Sequence, residues 1–259
     1  MRVINMGEGR RVTPDDRVFE LEGWLKTMRG LGIDVDVEFK TELALLKNAR
    51  ALGGHSAALK AAAGLGRPQV IARLAKDAGT FTDTLALVTT LVAGRTPEQQ
   101  AAIEDVLGRA LDRAEALAVS TFAAHGDELL KILASAHKRI VAEILASADQ
   151  IPDTVTTLEQ AARKHVGEAW LALERSCAEL DQVRDLVAGW YRDGVLKHKG
   201  KRPLKDWSPA ELLYGDYPKL VQILTAAQRT GEARNMLTAR CVATCQPTLR
   251  TTAQVDKAA

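Results

Sequence analysis

The chain has 259 residues, enough for one large helical domain or two smaller ones with a proper core. Apolar residues make up 46% but aromatics only 4%, so the core must be built of Ala, Leu and Val. That composition suits helix-on-helix packing and argues against a β-sandwich, while a formal net charge of +2 leaves nucleic-acid binding only to a local basic cluster.

Three cysteines (Cys177, Cys241 and Cys245) make a disulfide framework a poor reading and a reducing compartment the better one. The opening residues lack the apolar run of a signal peptide, and no stretch reaches the ~18–20 apolar residues of a membrane span. A cytoplasmic protein without membrane contact is expected.

In chain order, residues 2–5 (RVIN) and Ile33–Phe39 (IDVDVEF) carry the two strand-like patterns. They could pair as a small ribbon, although Val35 to Leu52 could equally be one helix. Between them Thr13-Pro14-Asp15-Asp16 opens a helix with the apolar stripe Val18, Leu21, Leu25 and Met28, ended by Gly30 or Gly32. Leu43, Leu46, Ala49 and Leu52 mark a second helix, closed by Gly53-Gly54. Short helices are expected at about 56–63 and 68–78, and a buried helix at 80–93, for which membrane insertion is the sharper alternative.

The stretch from Thr96 to Asp193 reads as two long amphipathic helices folded back at Ala148–Asp153. Thr96-Pro97-Glu98-Gln99 has the form of a capping box with proline at the first helical position. Small or apolar residues then recur at Ile103, Leu107, Ala110, Ala114, Leu117, Thr121 and Ala124, and the seam resumes at Leu133, Ala136, Ile140 and Ile144. Gly126 allows either a kink or a straight passage. Ile151-Pro152 breaks the helix, and Asp153 can cap a return helix with the seam Val155, Leu158, Ala162, Val166, Ala169, Leu173, Cys177, Leu180, Val183, Val187 and Trp190. At ~1.5 Å per residue such arms would span roughly 60–75 Å, long enough to project or to anchor an assembly; a kinked bundle packed on itself is the alternative.

After Gly194 comes a basic, helix-breaking linker, then a capping box at Ser208–Glu211. Two further helices are expected, from Tyr217-Pro218 and from Glu232 to about Thr244. The fold class is therefore all-α: a long antiparallel hairpin (95–194), a smaller N-terminal helical module (1–94), a basic linker with C-terminal helices (195–245), and a tail (246–259) expected to be disordered.

The five histidines form no metal-binding spacing, and Cys241 with Cys245 would be half a zinc site. Scattered glycines make no nucleotide fingerprint, and no nucleophile elbow is present. No cofactor and no catalytic residue are expected.

Two features could touch nucleic acid. Ser56–Leu74 has the outline of a helix-turn-helix that would expose Arg67, Gln69 and Arg73, although Lys60 stands where a small residue is usual. Residues 197–205 hold Lys197, Lys199, Lys201, Arg202 and Lys205, flanked by Trp190, Tyr191 and Trp207, which could grip phosphates and stack bases. The plainer reading is a solvated loop with its aromatics packed at the hairpin base.

Two functions follow: first, a non-enzymatic assembly or adaptor protein binding a protein partner or itself; second, a nucleic-acid-binding protein. The Ala-, Arg- and Gly-rich usage with a long hairpin would suit a phage or mobile-element protein.

Overall fold

A computed structural model describes residues 14–63, 96–197, 217–230 and 233–258, and among these the regular elements are all helical. They are α1 (Pro14–Gly30), α2 (Val35–Glu38), α3 (Lys40–Ala63), α4 (Pro97–Ala124) and α5 (Glu128–Ala148), followed by α6 (Leu158–Arg163) and α7 (Gly167–Arg192). The last three are α8 (Tyr217–Thr230), α9 (Arg234–Cys245) and α10 (Thr252–Ala258). The short apolar run at 2–5 that could have paired as a ribbon, the helices at 68–78 and 80–93 and the box at 208–211 lie outside the described residues. None of the described helices is long and apolar enough to cross a membrane. The chain divides into two compact units, one of Met1–Arg10, Gly23–Val35 and Ala123–Ala259, the other of Arg11–Glu22 and Asp36–Phe122.

In the second unit Leu21, Phe39, Leu46, Ala49, Ala118 and Phe122 are buried. The rings of Phe39 and Phe122 pack tilted at a centroid distance of 5.3 Å, a geometry worth roughly 0.5–1.5 kcal/mol beyond area burial. The period-two stretch is not a strand. Ile33 and Val35 are buried two apart, but from Val35 the chain turns helical, so Phe39 is buried four residues on and Val37 stands 70% exposed. Alternation over so few residues is a weak strand signal, and the helical spacing of Val35 and Phe39 competes with it directly.

The glycines at 53 and 54 do not close α3, which continues to Ala63. Each glycine costs about 1 kcal/mol in a helix, but the Ala-rich run beyond them restores propensity. The capping box at the start of α4 forms in both directions: the Gln99 N–H donates to Thr96 Oγ1 (3.4 Å) and the Thr96 N–H to Gln99 Oε1 (3.1 Å). The Glu98 carboxyl is held below its ordinary range by its hydrogen bond with Thr96.

Further along α4 the expected seam is off by one residue. Leu117 is 47% exposed, while Glu115, Ala118 and Phe122 turn inward. An Ala-rich seam carries so little area per turn that one phenylalanine decides the rotation of the helix.

In the first unit α5 and α7 pack together, α6 lies on α7, α9 packs on both α5 and α7, and α8 pairs with α9. The expected first arm is two helices, since α4 ends at a turn over His125–Asp127 in which Gly126 has φ +50°. The seam Leu133, Ala136, Ile140 and Ile144 is buried throughout. So is its partner from Leu173 onward, Leu173, Cys177, Leu180, Val183, Val187 and Trp190.

The return arm also starts later than its sequence suggests. Thr157, not Asp153, caps the short α6, with the Gln160 N–H donating to Thr157 Oγ1 at 3.2 Å. Within α6 it is Ala161 that is buried, while Leu158 of the expected seam is 45% exposed. Residues 246–259 are not wholly irregular: α10 forms there and Val255 is fully buried.

Two helix ends close with the same hydrogen bonds but different residues. After α1 the Ile33 N–H reaches Met28 O (3.1 Å) and the Gly32 N–H reaches Arg29 O (3.0 Å), with Gly32 at φ +81°. After α6 the Val166 N–H reaches Ala161 O (2.9 Å) and the His165 N–H reaches Ala162 O (3.1 Å), but here the left-handed position is His165 at φ +60°. This is the Schellman closure, which favours glycine because a Cβ is penalised at positive φ. His165→Gly is therefore expected to stabilise the protein by about 0.5–1 kcal/mol, read as a raised urea midpoint at constant slope; a destabilised variant would contradict this backbone geometry.

Candidate contact surface

The α5–α7 pair is fixed by a polar clasp centred on Arg139. Its guanidinium donates to Glu143 Oε1 (2.9 Å), to Glu179 Oε2 (2.9 Å) and to the Leu31 carbonyl beyond α1 (3.4 Å). Ser176 Oγ, on a residue 1% exposed, donates to the other Glu143 oxygen at 3.0 Å. Partial burial pulls the Glu143 carboxyl upward, but hydrogen bonds from Arg139 and Ser176 outweigh it and leave the group below its ordinary range. The same two carboxylates hold the Arg139 guanidinium above its usual value. Because 139 meets 179 and 143 meets 176, the helices run antiparallel, and the end of α5 lies level with the start of α7.

At that end the chain is tied down from within. Ile151, Val155 and Ala161 are buried beneath the connection. The Thr156 N–H donates to Gln160 Oε1 at 2.7 Å, the Val155 N–H to Pro152 O at 2.9 Å, and Lys164 Nζ to Thr154 Oγ1. Around this ordered connection three large apolar side chains stay in solvent: Leu145 (36% exposed), Leu158 (45%) and Leu171 (52%). Chain order missed Leu145 and Leu171, and placed Leu158 in the seam; the signal was an excess of leucine at positions flanking the seam.

The basic residues fare differently. Lys197, just beyond α7, is exposed. Lys199, Lys201, Arg202, Lys205, Arg67 and Arg73 lie outside the described residues, as do Trp207 and residues 64–74 of the helix-turn-helix outline, whose 56–63 half is simply the end of α3. Trp190 and Tyr191, considered as base-stacking rings, are 0% and 3% exposed. They belong to the core, because α7 presents them on the face that carries Val183 and Val187.

Cations of α7 and α9 are engaged in ion pairs, Arg192 with Asp193 (3.0 Å), and Arg184 and Arg234 both with Asp181 (2.7 and 2.5 Å). Of the cysteines, Cys177 donates weakly to Asn235 O (3.8 Å), and burial pushes its thiol up to about 12, with the Asp181 charge adding to the shift. Among the described residues no three His, Cys, Asp or Glu side chains come together as a metal site. Comparison with family models, curated proteins and solved structures finds no match.

Proposed function

We propose that this chain is a helical assembly or adaptor protein, without enzymatic activity, working in the cytoplasm through protein–protein contacts made at the joined end of α5 and α7. The observation that carries this reading is the trio Leu145, Leu158 and Leu171, exposed around a connection that is packed from within and capped at the start of α6. Single exposed leucines are ordinary on soluble proteins. Three near one end of a helix pair could supply the apolar centre of an interface, although a stable one buries ~1,200–2,000 Å² and would have to extend along the neighbouring helix faces. Three buried free cysteines fit a reducing compartment.

The test compares the natural protein with a Leu145→Gln/Leu158→Gln/Leu171→Gln variant by light scattering and small-angle scattering at micromolar concentration. The natural protein is expected to self-associate or to retain a protein partner, and the variant to lose this with a melting temperature within a few degrees of the parent. A natural protein that is monomeric and holds no partner would end the reading.

The second reading, nucleic-acid binding, is favoured by five Lys or Arg within residues 197–205 and by the exposure of Lys197. It predicts retention on DNA or RNA at low salt that falls steeply as salt rises and is lost when the five become alanine. Absence of low-salt retention would dispose of it.

A further inference from the structure

Asp127 occupies the N-cap position of α5, yet its side chain makes no bond to that helix. Both carboxylate oxygens are instead turned to a residue 125 positions away: the Thr252 N–H donates to Oδ1 (3.2 Å) and Thr252 Oγ1 donates to Oδ2 (3.0 Å). Thr252 is the first residue of α10, so an acid from a distant turn satisfies one of the orphan N–H groups of that helix and complements its dipole.

Further bonds form within the segment. The Thr251 N–H donates to Gln254 Oε1 (2.9 Å), the Gln254 N–H to Thr251 Oγ1 (3.3 Å), and Arg250 Nη2 to Gln254 O (3.3 Å). A seven-residue helix is too short to persist alone in water. Among the described residues it is held from outside by the Asp127 contact, by the buried Pro247 and Val255, and by Leu249, which packs on the cluster of Leu220, Cys241 and Cys245 between α8 and α9.

We propose that residues 246–258 form a releasable strap, latched by Asp127, that closes over the α8–α9 apolar cluster and bares it when the latch opens. Gln246 is placed as its hinge: it ends α9 in a left-handed conformation, φ 44°, and redirects the chain into the strap. Cys241 and Cys245 lie 3% and 7% exposed in the cluster on which Leu249 packs, while Cys177 sits on α7 against Asn235. The three thiols therefore report separately on strap and body. This inference concerns a different part of the first unit from the leucines at the α5–α7 end and does not depend on their role.

The experiment is site-resolved alkylation of the native full chain, with modified cysteines identified by peptide mass. In Asp127→Ala, and in Thr252→Val as a milder variant that keeps the side-chain shape, Cys241 and Cys245 are expected to label at least tenfold faster than in the parent. Cys177 is expected to stay within about twofold. Unchanged rates at all three thiols in both variants would overturn the proposal, as would a rise shared equally by Cys177, which signals opening of the whole unit. Should Asp127→Ala fail to fold, the Thr252→Val rates decide by the same criterion.

Discussion

Trp190→Ala is expected to cost about 3–5 kcal/mol, the range for removing a large aromatic side chain from a packed core. The indole is fully buried and heads the largest such side chains of the described residues. Its backbone carbonyl also accepts the Leu196 N–H (3.0 Å), so the residue anchors the chain where α7 ends. Domains of this size are stable by only ~5–15 kcal/mol, and the loss corresponds to a melting temperature lower by about 6 to 20 °C. Urea denaturation with an unchanged slope is the check. A loss below about 1.5 kcal/mol would place the ring at the surface and reopen a base-stacking role beside residues 197–205.

His137 is expected to make the protein acid-sensitive well above the carboxylate range. It is 6% exposed on α5, and its Nε2 meets no hydrogen-bond partner among the described residues. Burial lowers its pKa from the ordinary 6.5. The sign follows from linkage: the unfolded chain takes up the proton first, so stability is complete above pH 6.5 and falls below it until the folded pKa is reached. Within that window the slope approaches ~1.4 kcal/mol per pH unit.

Glu143, lowered from 4.5, acts in a separate window, since its contribution is present above that value and is lost as pH falls below it. His137→Met keeps the volume, removes the buried imidazole and should abolish the loss that sets in below pH 6.5 while leaving the one that sets in below 4.5. At pH 7 the same change is expected to be neutral or stabilising by up to roughly 1–3 kcal/mol, the cost of an unpaired buried polar group. Parallel stability–pH curves for the two proteins would show that His137 is not the group that titrates.

Local signals transferred best from sequence to structure. Thr96-Pro97-Glu98-Gln99 forms its reciprocal cap, and the same Thr-x-x-Gln pattern, overlooked at 157–160 and 251–254, starts α6 and α10. Leu21, Leu25 and Met28 of the first stripe, whose Val18 is only half-buried, and the seam from Leu133 to Ile144 are buried because a leucine- or isoleucine-rich face leaves one favourable orientation. Where the stripe was mostly alanine, in α4, the orientation was set by Phe122 meeting Phe39, a residue some eighty positions away that no local window contains.

The contact leucines escaped for a related reason. Leu145 directly follows the seam residue Ile144 and Leu171 falls midway between Ala169 and Leu173, and only the tertiary pairing shows which side of a helix is left in solvent. Asp127 is similar: on sequence spacing it pairs with Lys131 on its own helix, yet in the structure it caps α10.

What the sequence by itself determined is the all-helical class, the helix starts marked by proline at α1, α4 and α8, and the apolar faces dense enough to select their own burial, since these depend on interactions within one or two turns. Tertiary structure alone decided the rotation of the alanine-lined α4, the break of the expected first arm at Gly126, the delayed return helix after His165, and the docking of residues 246–258. In each of these the local preferences are nearly balanced, so a few kcal/mol from one distant side chain settles the outcome.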